Sequence, residues 1–274
     1  MNILVTGGSG FIGSHLIKQL EENGHVVRDI SSDVQLADDD EFGNPQVIYH
    51  LGAFPRVGYS LENPEKVLSN NHLSTLRVLE YCRFHPETRL VNVSSSSVKF
   101  AKLVRNPYAM SKKFGEDLTD LYRVTYGVKA TNVRLFNVYG PGEAEYGPFT
   151  TLVKACKKRV MSGANLKVTG DGSIKRDFTH VLDVVNGLIA VDRMLQQDSA
   201  MALYELGAGV PTSVIEVVEE FQRGTSLKIE QVPARDNDPE LTIADPTRRP
   251  HGWMPVFDVL DYVQDWKAAG CPND

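Results

Sequence analysis

The chain opens on an apolar run, Asn2 to Thr6, that breaks into Gly7-Gly8-Ser9-Gly10-Phe11-Ile12-Gly13, after which Phe11 to Leu20 continues with helical periodicity to Gly24. Strand, glycine turn and helix in that order constrain the fold more than any other feature. Gly7 permits the tight turn, Gly10 lets a backbone approach a pyrophosphate, and Gly13 allows helix and strand to pack closely. The unpaired amides at the helix start, where Phe11 and Ile12 stand, face the phosphate charge of a bound dinucleotide.

Further apolar runs repeat the pattern. Val26 to Ile30, Gln46 to Leu51 and Leu90 to Val93 read as strands, and Pro64 to Arg83 reads as a helix. Alternating strands and helices predict an α/β fold, a Rossmann-like doubly wound parallel sheet with ligand at the carboxyl ends of its strands. An acid about 20 residues beyond the glycines accepts hydrogen bonds from the adenosine ribose. The end of the second strand falls at Ser31, flanked by Asp29 and Asp33; Asp33 is the residue chosen, and Asp38 to Glu41 reads as a solvated acidic turn. A carboxylate here suits NAD. NADP would need a cation, for which Arg28 is the nearby candidate, so NAD is the reading and NADP stays open.

Asn106-Pro107 pairs a capping side chain with a proline suited to the first turn of a helix. Tyr108 and Lys112 then lie at i and i+4 on one face. A nearby ammonium favours the phenolate, bringing tyrosine from its usual value near 10 toward the range a general base needs. Ser95, at the carboxyl end of its strand, is placed to hydrogen-bond the same substrate oxygen. A dinucleotide turn and a proton-transfer pair in one chain indicate hydride chemistry on an alcohol or ketone.

The formal charge of −6 and the lack of a dense basic run argue against a nucleic-acid surface; Lys157-Lys158-Arg159 reads as a solvated helix face. No stretch approaches the roughly 20 apolar residues of a membrane span. The chain starts directly on a strand, without a signal-peptide layout, and Cys82, Cys156 and Cys271 lack metal-like spacing, so a cytoplasmic location is expected.

Taken together, these residues resemble the extended short-chain dehydrogenase/reductase family, in its nucleotide-sugar epimerase/dehydratase branch. The likeness runs almost the full length. It includes the glycine turn, His50-Leu51-Gly52-Ala53 followed by Val57, Ser60 and Pro64, then Asn71, Ser94 to Ser97, and Tyr108 to Lys112. It continues with Arg134 to Gly142, Leu166 to Gly172, Arg176 to Val181 and Glu205 to Gly209. The resemblance implies that Tyr108 is the base, Lys112 its partner and a ligand of the nicotinamide ribose, Ser95 the third catalytic residue, and Ser96 an assistant. It implies that Leu51, Gly52, Ala53 and Asn71 bind cofactor, and that Asn137, Arg176 and Arg235 hold the diphosphate of a nucleotide sugar. His180, Trp253 and Trp266 read as packing residues. Two departures stand out. Lys99-Phe100 replaces a Tyr-Gly pair, and the segments from Ser97 to Tyr108 and from the second strand to His50 are short.

From about Gly140 the alternation loosens. Phe149 to Met161 reads as an amphipathic helix, and Thr212-Ser213 caps another through Phe221. The expected division is a dinucleotide-binding domain over 1–140 and, over 141–274, mostly a nucleotide-sugar lobe interleaved with returning segments of the main sheet. Dehydratase and decarboxylase relatives carry acidic residues where this chain has Ser96 and Ser97, and the Cys and His of reductase-epimerases are missing. The resemblance therefore implies a UDP-sugar 4-epimerase that needs no metal and acts as a homodimer through two helices, one bearing Tyr108. A reductase or dehydrogenase of 4-keto nucleotide sugars is the alternative, and a non-catalytic dinucleotide sensor a remote one.

Overall fold

The computed structural model describes residues 1–31, 34–100, 106–143, 150–234 and 239–272. The first half alternates as the apolar runs require: β1 (Asn2–Thr6), α1 (Phe11–Glu22), β2 (Val26–Ile30), α2 (Asp39–Phe42), β3 (Val47–His50), α3 (Val57–Glu62) and α4 (Pro64–Phe84). There follow β4 (Arg89–Ser95), α5 (Ser97–Phe100), α6 (Pro107–Tyr126), β5 (Ala130–Leu135) and β6 (Val138–Tyr139). The second half holds α7 (Leu152–Ser162), β7 (Leu166–Thr169), β8 (Lys175–Asp177), β9 (Thr179–His180), α8 (Val181–Gln196) and β10 (Leu203–Leu206). It ends with β11 (Pro211–Ser213), α9 (Val214–Gln222), β12 (Ile229–Val232) and α10 (Val259–Ala268).

Six strands form one sheet in the order β10-β5-β4-β3-β1-β2, every pairing parallel. A parallel sheet is covered on both faces, so its strands are apolar on both sides. Ile3 and Val5 of β1 pack with Leu16, Leu20, Val184 and Leu188 of α1 and α8, while Leu4 packs with Val78, Leu79 and Tyr122 of α4 and α6. The strand order reverses between β1 and β3, which opens the ligand crevice at their carboxyl ends. A further apolar core gathers Val153, Val168, Phe178, Phe221, Val263 and Trp266. It sits among three two-stranded sheets, β11-β8, β12-β7 and β6-β9.

Local chemistry explains several boundaries. The Asn106 side chain accepts from the Ala109 amide at 2.8 Å, and Pro107 opens α6 as expected. Strand β4 runs on to Ser95 because Ser94 and Ser95 pair with Arg134 and Leu135 of β5. Asp38 to Glu41 is solvated as expected, but Asp38 and Glu41 form a reciprocal capping box that turns the segment into the short helix α2. Helix α7 begins at Leu152, capped by the Thr151 hydroxyl, while Phe149 lies outside the described residues. Lys158 and Arg159 are solvated, but Lys157 is buried. Its Nζ donates to the Tyr262 hydroxyl at 2.8 Å and lies over the Trp266 ring, because α10 packs on that face.

Candidate active site

The glycine turn is packed from below. Gly7 has φ +74°, and a Cβ there would stand 2.9 Å from Gly52 Cα. A Cβ on Gly13 would meet the Gly7 carbonyl oxygen at 2.2 Å, so helix and turn touch through backbone. Gly10 precedes α1 as its N-cap without a capping side chain, which leaves the first helical amides open to an anion alongside Phe11 and Ile12. The Leu51 amide donates to Thr6 O at 3.1 Å and the Gly52 amide to Thr6 Oγ1 at 3.0 Å, holding Leu51 to Ala53 beside the turn. This turn, with its open helix-start amides, fits a dinucleotide pyrophosphate.

At the end of β2, Asp29 Oδ1 accepts from the Gly8 amide at 2.8 Å, Ser31 Oγ donates to Asp29 Oδ2 at 2.5 Å, and the Ser9 amide donates to Ser31 Oγ at 2.9 Å. Asp29 and Ser31 thus form the polar corner of the turn, whereas Asp33 lies outside the described residues. Arg28 turns away, donating to the carbonyls of Asp40 and Glu41 at 3.0 and 2.9 Å.

Tyr108 and Lys112 both stand on α6, four residues apart. Lys112 Nζ donates to Val93 O at 2.8 Å on β4, and burial lowers its pKa to about 8, partly opposed by Glu116. Burial raises the Tyr108 pKa; what pulls it down is a hydrogen-bonding interaction with Ser95 and the charge of Arg56. Groups on β4 and on the loop before α3 thus act on the phenol from outside its own helix. Ser95 Oγ also accepts from the Ser97 amide at 3.2 Å, and the Ser96 amide donates to Leu135 O at 3.0 Å, so both serines sit at the strand end beside the phenol's helix.

Further residues brace the site, and Glu116 among them carries no sequence signal of its own. Glu116 accepts two bonds from Arg134, at 2.8 and 2.7 Å, and one from Ser94 at 2.6 Å, tying α6 to β4 and β5. Lys99, one of the departures from the family pattern, donates to Glu205 Oε2 at 2.7 Å and Ile243 O at 3.1 Å, fastening the strand end to β10. Asn71 Oδ1 accepts from the Phe54 amide at 2.8 Å and its Nδ2 donates to Ser111 Oγ at 2.9 Å, clamping the loop after β3 to α4 and α6. His50 is fully buried between Thr6 Oγ1 at 2.7 Å and Thr75 Oγ1 at 3.2 Å, and burial, helped by Lys112, drives its pKa to about 3, so the ring is neutral.

Of the residues assigned to the diphosphate, Asn137 and Arg176 meet around Asp177. Asn137, at φ +26°, donates to Asp177 O at 3.1 Å. Arg176 donates to Pro239 O at 2.6 Å, and its neighbour Asp177 accepts from the Gly209 and Ala244 amides instead of pairing with it. Arg235 lies outside the described residues. His180 caps α8 and packs on Phe257, while Trp253 and Trp266 are buried with their ring nitrogens bonded to Asp183 O and Pro272 O, which makes all three packing residues.

Comparison with known proteins places this geometry. Residues 3–207 match the model of the NAD dependent epimerase/dehydratase family. An uncharacterized protein of Methanocaldococcus jannaschii is 30% identical over 292 residues, covering 89% of this chain and 87% of its own. The UDP-glucose 4-epimerase 2 of Oryza sativa subsp. japonica is 28% identical, over 97% of this chain and 81% of its own. Among solved structures, MoeE5 in complex with UDP-glucuronic acid and NAD superposes with a TM-score of 0.87 at 28% identity, covering 98% of this chain and 100% of that one.

Proposed function

Because the chain belongs to the NAD-dependent epimerase/dehydratase family, we propose that it inverts C4 of a UDP-sugar, with Tyr108 as the base. The observation that supports this reading most is that half-buried Tyr108 interacts with Ser95 at the carboxyl end of β4, the edge of the parallel sheet on which the glycine turn also lies. Bound NAD supplies a hydride acceptor that can return what it takes. The rest is proton handling and positioning. The Tyr108 phenolate accepts the 4-hydroxyl proton and later gives it back, while the Ser95 hydroxyl holds the same oxygen as charge develops on it. Ser96 supports that strand end. Lys112 holds the nicotinamide ribose, and Asp29 with Ser31 faces the adenosine ribose. Asn137, Arg176 and Arg235 grip the diphosphate, a role that suits the guanidinium fork. Holding the reacting atoms at near-attack distance supplies much of the acceleration.

In this reading residues 1–140 bind the dinucleotide and most of 141–274 covers the nucleotide sugar, with β10 returning to the main sheet. The protein works in the cytoplasm, where the three free thiols stay reduced. It works as a homodimer joined through α4 and α6, whose outer faces leave Leu73, Leu76, Phe114 and Leu121 exposed.

The test is incubation of purified protein with UDP-glucose, UDP-galactose, their N-acetyl forms and UDP-glucuronate, product stereochemistry being read by NMR. C4 inversion without net change in NADH absorbance is expected; stoichiometric consumption of NADH would make the protein a reductase instead. Tyr108→Phe should lower turnover by about 10²–10⁴-fold or more while NAD still binds. Unchanged turnover in that variant would remove Tyr108 as base.

A further inference from the structure

A run of direct hydrogen bonds joins the loop beside the glycine turn to the backbone of Tyr108. Its members are Thr6 at the end of β1, His50 at the end of β3, Asn71 and Thr75 of α4, and Ser111 of α6, none more than 6% exposed. Polar groups buried this deeply satisfy their hydrogen bonds inside the protein, so each hydrogen can be traced to its acceptor.

Thr6 Oγ1 accepts from the Gly52 amide at 3.0 Å and lies 2.7 Å from His50 Nδ1. Among the described residues, Nδ1 is the acceptor that the Thr6 hydroxyl hydrogen finds. A bare Nδ1 on a neutral ring puts the ring's proton on Nε2. The other end agrees. Thr75 Oγ1 donates its own hydrogen to Asn71 O at 2.9 Å, which leaves it to accept from His50 Nε2 at 3.2 Å. With the proton on Nδ1 instead, Thr6 Oγ1 would receive two hydrogens and its own would be buried without an acceptor. Beyond the ring the run continues through Asn71. Its Oδ1 accepts from the Phe54 amide at 2.8 Å, which fixes the carboxamide's orientation, and its Nδ2 donates to Ser111 Oγ at 2.9 Å. Ser111 Oγ donates in turn to Tyr108 O at 2.8 Å.

We propose that His50, as its Nε2–H tautomer, is a positioning residue that ties the NAD-binding glycine turn to the helix bearing Tyr108. The kinetic part of this role rests on the reading of Tyr108 as the base; the tautomer does not. The ring accepts at one nitrogen and donates at the other, so it can join a hydroxyl that must give a hydrogen to one that must receive it. Reversing the ring's proton breaks the run at both ends.

The tautomer is read by ¹H–¹⁵N NMR of the full chain carrying ring-labelled histidine, with His50→Gln identifying its signals among the seven histidines. His50 should show a protonated Nε2 and a bare Nδ1, unchanged from about pH 8 to about pH 5, where exposed histidines gain a proton. A proton on Nδ1, or a ring that charges in that range, would overturn the proposal in the parent protein itself. The tie is read with Thr75→Val, which removes the ring's acceptor while nearly keeping side-chain shape, and Thr75→Ser, which retains the hydroxyl. Thr75→Val should move the ring's proton toward Nδ1, weaken NAD binding about tenfold, the weight of one hydrogen bond, and lower kcat. KM for the UDP-sugar should stay put, because Asn137 and Arg176 stand outside the run. Thr75→Ser should restore the tautomer, the NAD affinity and kcat. A folded Thr75→Val protein that binds NAD as tightly as the parent would overturn the tie. Tautomer and NAD affinity need no turnover, so a protein that behaves this way but epimerises no UDP-sugar loses the epimerase reading alone. An active epimerase whose His50 carries its proton on Nδ1 loses only the role of His50.

Discussion

A methyl group on Gly13 would stand 2.2 Å from the Gly7 carbonyl oxygen, and backbone on both sides leaves nothing flexible to yield. Gly13→Ala should therefore push α1 away from the turn and weaken NAD binding by about 100-fold, roughly 3 kcal/mol, measurable by calorimetric titration. That position is legible in sequence, because only a missing side chain lets helix and strand approach so closely. The ionisation of Tyr108 is not legible in the same way. Helical spacing puts Lys112 on its face, but Ser95 on β4 and the charge of Arg56, more than 50 residues upstream, also favour the phenolate, and no local pattern announces them. The end of β2 divides similarly: the sequence points to an acid there, with Asp33 chosen, and only the structure shows that Asp29 and Ser31 bond the Gly8 and Ser9 amides.

The junction of β4, β5, α6 and β10 is held by charge as well as by apolar packing. Arg134 forms a two-bond pair with Glu116 and lies 3.5 Å from Glu205, with all three side chains largely or fully buried. Arg134→Met would leave two buried carboxylates without their shared cation. The expected cost is about 3–5 kcal/mol, read by urea denaturation, with Tyr108 displaced as α6 loosens. The loop before α7 makes a pH-dependent prediction. Glu143 has a folded pKa of about 7 against 4.5 in the unfolded chain, so the folded state keeps a proton that the unfolded state loses between these values. Stability from this group is present below pH 4.5 and is lost as pH rises through about 7, by up to about 3 kcal/mol. Glu143→Gln keeps an acceptor for the Gly140 amide and lacks the titration. Its melting temperature should match the parent's in acid and exceed it at about pH 8; equal melting curves at both pH values would show that the carboxyl does not titrate in this window.

At the scale of the whole molecule, α4 and α6 lie side by side on one face of the sheet and turn apolar residues outward. Leu73 is 50% exposed, Phe114 42% and Leu121 51%, and the His72 ring packs at a tilt against Phe114 across the helix pair. Isolated exposed leucines are ordinary on a protein surface, whereas a large contiguous apolar patch marks an interface, and the proposed dimer would use these two helices. Phe114→Glu with Leu121→Glu is expected to convert a dimer into a folded monomer, as seen by analytical ultracentrifugation. A parent protein that sediments as a monomer at micromolar concentration would remove the dimer from this account.

The sequence by itself determined the parallel sheet, the glycine turn at its carboxyl edge and the Tyr108 helix, because each depends on residues close together in the chain. Capping residues, turn glycines and apolar periodicity act over a few positions, and their physics does not need the fold to be known. Only the tertiary structure decided which charges meet. Arg56, Glu116, Arg134, Glu143 and Glu205 come from separate segments of the chain, and Coulomb forces depend on distances that packing sets. For the same reason Lys157, which sits in a basic run, ends buried under α10 instead of facing water.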